Sequence, residues 1–433
     1  MRRQKLVLVI VVLLALLAVT IGVAAQEGEP LKIGLLTDQS GPLTIYGIEQ
    51  ENGFLLGLLY AAGIDPTEYD SLEAALADVV IAGRPVEVIV RDNGSNPDTA
   101  ASQARELIEQ EGVEILVGAP SSGVMTGVQQ VALDSDVLVF AAPAASPAIT
   151  GANFNPNTFR VCRNSLMDFL AFAPYASTEL GSNFVIFAID NDFGRTGAAG
   201  AKAVFSGAGI EFPFEDIYVP LETTDFTPYL QQVLNSGADV VLPIWAGDTS
   251  VTLFQQMAEL GVGEQMAIVT AFNSNDIVAT LDPSSIGFQA WIVYHYTFPE
   301  TEINDWLVEK HQAVYNDWPD LFTECSFATA QAIAGALEAT SGNTLPEAMI
   351  PALEGMVFEG PKGTYYIRPS DHQTIMPMYV AQLDNLDDPD QRFYTLLSEI
   401  PPQQVVPPVM LPEAYADRVA MDEEFMANLM AGS

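Results

Sequence analysis

Residues 113–147, VEILVGAPSSGVMTGVQQVALDSDVLVFAAPAASP, read as strand, small-residue turn, helix, strand and a second small-residue turn. No other stretch restricts the fold as much. Two strands joined by a single helix run parallel, and such crossovers are right-handed, so a sheet with helices packed on its faces follows. The apolar run Ile115, Leu116, Val117 halts at Gly118-Ala119-Pro120-Ser121-Ser122-Gly123, and the run Val137 to Phe140 halts at Ala141-Ala142-Pro143-Ala144-Ala145-Ser146-Pro147. Both turns therefore open at one sheet edge, above the carboxyl ends of their strands, where small ligands bind in parallel sheets. Small side chains leave backbone N–H groups bare there. Ser121 and Ser122, at a helix start, add hydroxyl donors and the positive end of the helix dipole. The stretch is one wall of a ligand cleft.

The same alternation runs through most of the chain. Residues 31–37 and 86–92 are strands; residues 47–62 are a helix; residues 65–80 read as an acidic surface insertion; Asn96-Pro97-Asp98 opens a helix with Asp98 as its cap. A second series follows Phe159-Arg160. Strands are expected at 184–190, 217–219, 240–244 and 266–270, with helices between them at 191–208, 225–236 and 249–260. Two series of similar length imply two similar lobes. The aromatic run 287–296, helices at 302–316 and 324–340, and strands at 356–360, 364–367 and 378–383 read as the chain passing back between the lobes. The expected division is a first lobe of residues 30–160 with 296–357, a second of 161–295 with 358–383, and an acidic, proline-rich tail from 384 to 433 laid over the surface as an extended segment.

At 433 residues the chain is longer than one core usually supports, which agrees with two lobes. Residues 1–25 have the three parts of a secretory signal: Arg2, Arg3 and Lys5, an apolar run, then Val23-Ala24-Ala25. Cleavage before Gln26 and export across the cytoplasmic membrane are expected, to the periplasm or outer face. A retained membrane anchor is the alternative. The 16 basic and 56 acidic residues give a net charge of −40, which disfavours nucleic acid and anionic lipid as partners. The spacing of Cys162 and Cys325, the only cysteines, does not decide whether they pair. His295, His311 and His372 are scattered, so no metal site is expected.

The residues that carry a resemblance are Ser40-Gly41-Pro42 with Tyr46-Gly47, Arg91-Asp92-Asn93 with Pro97, Gly118 with Ser121-Ser122, Ser146-Pro147, Phe159-Arg160, Asp190 with Phe193-Gly194, and Gly360-Pro361 with Gly363. In this order and spacing the chain resembles the extracytoplasmic substrate-binding proteins of branched-chain amino acid importers, which have the type I periplasmic-binding fold. The resemblance implies an α/β fold of two Rossmann-like lobes joined by three crossover strands. It also implies a small ligand held between lobes, delivery to the permease of an ABC-type importer, a monomer, and no cofactor. Ser121, Ser122, Pro143, Ala144, Ala145 and Ser146 would face the ligand from the first lobe, with Tyr46, Phe193, Trp245 and Phe272 as an aromatic wall. Arg163 is a further candidate for an anionic group. Two positions depart from the family pattern: a threonine is expected at Ala145, and an acidic partner for an ammonium at Phe272. The second departure speaks against an ordinary α-amino acid, because an ammonium buried without a counter-charge costs several kcal/mol, roughly. An amino-acid-like compound, an acid or amide with an apolar or aromatic body, or a quaternary ammonium is expected instead.

Enzymatic signatures are missing from the sequence. It holds no Gly-x-Ser-x-Gly elbow, Walker-type loop, His-Glu-x-x-His or dinucleotide fingerprint. Ser121 and Ser122 have no evident histidine base, and Asp190 and Asp192 read as turn and cap residues. A sensor ectodomain working with a separate signalling chain is the alternative to an importer subunit.

Overall fold

The computed structural model describes residues 28–431. The expected signal segment lies outside them. Strands β1 (Leu31–Thr37), β2 (Val80–Ile81), β3 (Arg84–Asp92), β4 (Ile115–Gly118), β5 (Leu138–Ala141) and β6 (Thr158–Phe159) form one sheet in the order β2-β3-β1-β4-β5-β6. Apart from the short β2, every pairing is parallel. Successive side chains in a strand point to opposite faces, and both faces here are apolar. Ile33, Leu35, Ile115, Val117, Leu138 and Phe140 enter one core, while Leu36, Leu116, Val139 and Ala141 enter another. Helices Pro97–Glu109 and Ser122–Asp134 cover the second face; Thr44–Ala61 and Leu321–Ala339 cover the first. The expectation of a continuous apolar strand covered on both sides holds at every strand of the opening stretch.

The second sheet has β7 (Phe184–Ile189), β8 (Ile217–Val219), β9 (Val240–Ile244) and β10 (Ala267–Ile268), all parallel, in the order β10-β9-β7-β8. The same alternation recurs: Phe184, Ile186 and Ala188 face helices Ser165–Glu179 and Asp192–Gly207, whereas Val185, Phe187 and Ile189 face Thr227–Ser236 and Ser250–Glu259. Beyond them β11 (Gln289–Ile292) begins an antiparallel sheet. β12 (Val357–Gly360), β13 (Gly363–Ile367) and β14 (Thr374–Ile375) form a second small sheet, and β15 (Met378–Leu383) pairs with β11. Two Rossmann-like lobes, linked by the chain passing between them, make this a type I periplasmic-binding fold. Cys162, just past β6, is bonded to Cys325 in helix Leu321–Ala339.

Four local expectations change. The first helix starts at Thr44, and Asn96 rather than Asp98 caps helix Pro97–Glu109, its side chain accepting from Thr99 N. Asparagine at this position reaches the second free N–H, which leaves Asp98 to interact with the helix dipole. Residues 65–80 are not wholly a surface insertion, because Ala75 and Val79 are buried in the first core. Beyond Asp384 the chain is more than an extended segment: β16 (Tyr394–Ile400) adds to β15, and Val405, Phe425 and Leu429 are buried. Its prolines lie outside β16, where they cost no ladder hydrogen bond.

Candidate functional site

Between the two parallel sheets lies a cavity of about 550 Å³. Its first-lobe wall follows from local backbone chemistry. After β1, Asp38 accepts from Gly41 N (2.5 Å) and Leu43 N (3.0 Å), which pins the Ser40-Gly41-Pro42 loop and sets the start of helix Thr44–Ala61. A Cβ on Gly47 would lie 1.8 Å from Asp38 O, so only glycine lets the helix approach this closely. The loop thereby presents Pro42, Leu43 and Tyr46 to the cavity. At the next turn Ser121 caps helix Ser122–Asp134, and Ser122 Oγ accepts from Ser146 N at 3.2 Å, tying the two small-residue turns together. Beneath them the buried guanidinium of Arg160 donates to Ser146 O (2.6 Å), Thr150 Oγ1 (2.6 Å) and Gln373 Oε1 (2.7 Å). Burial lowers its pKa to about 9, since desolvation disfavours the charged form.

Most of the expected site residues meet at this cavity. Tyr46, Ser121, Ser122, Pro143, Ala145, Arg163, Phe193, Trp245 and Phe272 all line it. Ala144 and Ser146 do not. Consecutive residues in an extended turn face opposite ways, so Ala144 points into the first-lobe core, and Ser146 places its hydroxyl 3.0 Å from Thr196 Oγ1. Trp245 and Phe272 serve the core as well as the cavity: Trp245 packs edge-on against Phe226 at 5.1 Å and donates to Thr249 Oγ1, and Phe272 packs on Tyr394 of β16 at 4.7 Å.

The lobes touch across the cavity mouth. Tyr46 OH donates to Asn273 Oδ1 (2.7 Å) and accepts from Gly247 N (3.2 Å), while Asp248 N donates to Pro42 O (3.1 Å). Burial holds the Tyr46 phenol far above its ordinary pKa, so it stays protonated and keeps both roles. Glu49, Ser274, Asn275 and Asp320 continue this contact inward: Ser274 Oγ donates to Glu49 Oε1 (2.7 Å) and Asn275 N to Asp320 Oδ2 (2.6 Å).

Sequence reasoning passed over Ser165, Asp168, Phe169, Asn273, Trp291 and Phe322, all of which line the cavity. Ser165 and Asp168 had a legible signal. They follow Arg163 at the start of a helix and are three residues apart, hence on one face. The others come from segments whose register against the cavity depends on packing between the lobes. Among the described residues no group of three or more His, Cys, Asp or Glu is arranged to hold a metal ion, and no helix is long and apolar enough to cross a membrane.

Two parallel-sheet lobes with a cavity between them that both line define the class of two-lobed solute-binding proteins. Comparison with known proteins agrees. The family model described as periplasmic binding protein matches residues 30–389, and the chain belongs to that family. It is 25% identical over 394 residues to a Leu/Ile/Val-binding protein homolog of Brucella suis biovar 1, spanning 87% of this chain and 94% of that one. A solved structure of an ABC-type branched-chain amino acid transporter from Rhodopseudomonas palustris is similar at 28% identity and TM-score 0.69, covering 88% of this chain and 100% of the other. A second, a solute-binding protein of an ABC transporter from R. palustris in complex with 3,4-dihydroxybenzoic acid, is 20% identical with TM-score 0.74 over 86% of this chain and 97% of that one.

Proposed function

We propose that the chain is the extracytoplasmic subunit that captures a small carboxylate with an apolar or aromatic body and hands it, unchanged, to the permease of an ABC-type importer. It works as a monomer in the periplasm or at the outer face of the membrane. The observation that carries this reading is a cavity lined from both lobes: the Ser121–Ser122 turn of the first lobe faces Arg163 and the rings of Phe193, Trp245 and Phe272 from the second, so a ligand bridging them favours the closed form. Relatives bearing Leu/Ile/Val-binding names, and a neighbour complexed with 3,4-dihydroxybenzoic acid, support a carboxylate of this kind. None of the three histidines lines the cavity, which leaves Ser121 and Ser122 without a histidine base and argues for binding without turnover.

A thermal-shift screen across amino acids, aromatic acids, amides and betaines is the test, because a ligand that binds only the folded state raises Tm. At one hundred times Kd the gain is about 2.7 kcal/mol. At least one carboxylate is expected to stabilise the protein and to be recovered intact by mass spectrometry. Silence across the whole screen, or appearance of a product, would overturn the reading.

A further inference from the structure

The cavity wall nearest the passage from first to second lobe carries polar atoms that the fold leaves unused. Arg163, Ser165, Asp168 and Trp291 all line the cavity, with 7%, 2%, 4% and 3% of their surfaces exposed. Arg163 Nε and Nη1, Ser165 Oγ, Asp168 Oδ1 and Trp291 Nε1 have no hydrogen-bond partner among the described residues. Arg163 Nε lies 3.4 Å from Asp168 Oδ1, close enough for attraction but not aligned as a hydrogen bond. Buried polar groups are nearly always partnered, and several orphans in one patch call for an explanation.

The patch is continuous. Ser165 opens the helix whose first turn carries Asp168, and its N–H donates to Ala145 O at 3.0 Å, which sets its hydroxyl beside the small-residue turn. Ala145 itself has no polar side chain, and Ser122 Oγ nearby is already engaged by Ser146 N, so Ser165 Oγ is a hydroxyl left free at this corner. Trp291 packs against Phe169, the residue after Asp168, at 5.9 Å between ring centres. The guanidinium of Arg163 lies over the Phe322 ring at 5.3 Å, so one of its faces is covered and its unpartnered edge N–H groups remain for a ligand.

We propose that Arg163, Ser165, Asp168 and Trp291 form a subsite for a carboxylate that bears a hydrogen-bond donor on the neighbouring carbon, as in a 2-amino or 2-hydroxy acid. It rests on the solute-binding reading above and names which carboxylates that site prefers. Arg163, Ser165 and Trp291 supply donors to the carboxylate. Asp168 accepts from the neighbouring ammonium or hydroxyl. A simple carboxylate answers only the donors and places like charge beside Asp168, whereas a cation without a carboxylate leaves Arg163 unanswered. Burial already holds the Asp168 carboxyl above its usual range, and a ligand donor relieves that. Phe272 therefore does not exclude amino acids, since the acidic partner stands on a different wall.

The test uses two carbon skeletons, each in three forms: leucine, 2-hydroxy-4-methylpentanoate and 4-methylpentanoate; and phenylalanine, 3-phenyl-2-hydroxypropanoate and 3-phenylpropanoate. Benzoate and 4-hydroxybenzoate are controls. Calorimetric affinities are measured for the wild type, Ser165→Ala and Asp168→Asn. A donor-bearing acid of at least one skeleton is expected to bind about tenfold or more tighter than its donor-free parent, the size of one lost charge-assisted hydrogen bond. Asp168→Asn should narrow that ratio to about threefold or less, and Ser165→Ala should weaken all acids of the skeleton together. Ratios are taken within one variant, so a general loss of stability cancels. If the parents bind as tightly, if Asp168→Asn leaves the ratio unchanged, or if only benzoates bind, the subsite is wrong while solute capture stands. Failure of every compound here and in the wider screen sinks both.

Discussion

Glu49 and Asp320 are carboxylates buried within reach of each other where the lobes meet. Glu49 accepts from Ser274 Oγ and from Phe322 N (2.9 Å), and Asp320 caps helix Leu321–Ala339 by accepting from Leu321 N (2.8 Å). Desolvation pushes Asp320 up to about 7 from an ordinary 3.8, and the same burial, with Asp320 as a nearby like charge, raises Glu49. A folded-state pKa above the unfolded one means the folded protein holds more protons between the two values. Stability is therefore greatest on the acid side of this window and is lost as pH rises through it. In urea titrations the wild type is expected to lose at least about 1 kcal/mol from this site between pH 5 and 7. Asp320→Asn keeps a capping oxygen and removes the titration, so its stability should change less over that range. Equal slopes for the two proteins would show that Asp320 is ionised throughout.

Helix Thr44–Ala61 packs face to face with Leu321–Ala339, and the contact is set by a glycine. A Cβ on Gly53 would lie 2.0 Å from Thr323 O. Intrinsic propensity favours alanine in a helix by about 1 kcal/mol, but forcing a methyl into backbone costs about 3 kcal/mol or more, so the clash wins. Gly53→Ala should lower the denaturation midpoint, and an unchanged or raised midpoint would mean the helices are free to separate. This contact also marks where sequence reading stops. The strands, their two apolar faces and the serine turn were legible because each follows from a local period or a local turn. The return of helix Leu321–Ala339 to the first lobe is legible from its position after the aromatic run, but the apolar pattern alone predicts a start at residue 324, three residues beyond the true start that the Asp320 cap sets. Ala144 and Ser146 were assigned to the cavity as part of one small-residue turn. Which members of such a turn face inward depends on backbone dihedrals that alanine and serine do not encode. Tyr394 behind Phe272 could not be anticipated, since proline density hid a strand whose partner lies in another part of the chain.

At the scale of the whole molecule the two lobes meet at backbone as well as side chains. Gly247 has φ +88, and a Cβ there would lie 2.5 Å from Pro42 O across the cavity mouth. Gly247→Ala should keep the lobes from meeting fully, which small-angle scattering would register as a larger radius of gyration; an unchanged radius would mean that the loop yields instead. The contacts at this mouth, Tyr46 to Asn273 and Gly247 and Asp248 to Pro42, have a consequence for how such a binder is tuned. Gly247 and Asp248 do not line the cavity, so their contacts favour the shut conformation from outside the solute's surroundings, and the observed dissociation constant is the intrinsic one divided by the fraction already shut. Affinity can thus drift by about an order of magnitude through Gly247 alone, leaving discrimination between solutes where it was.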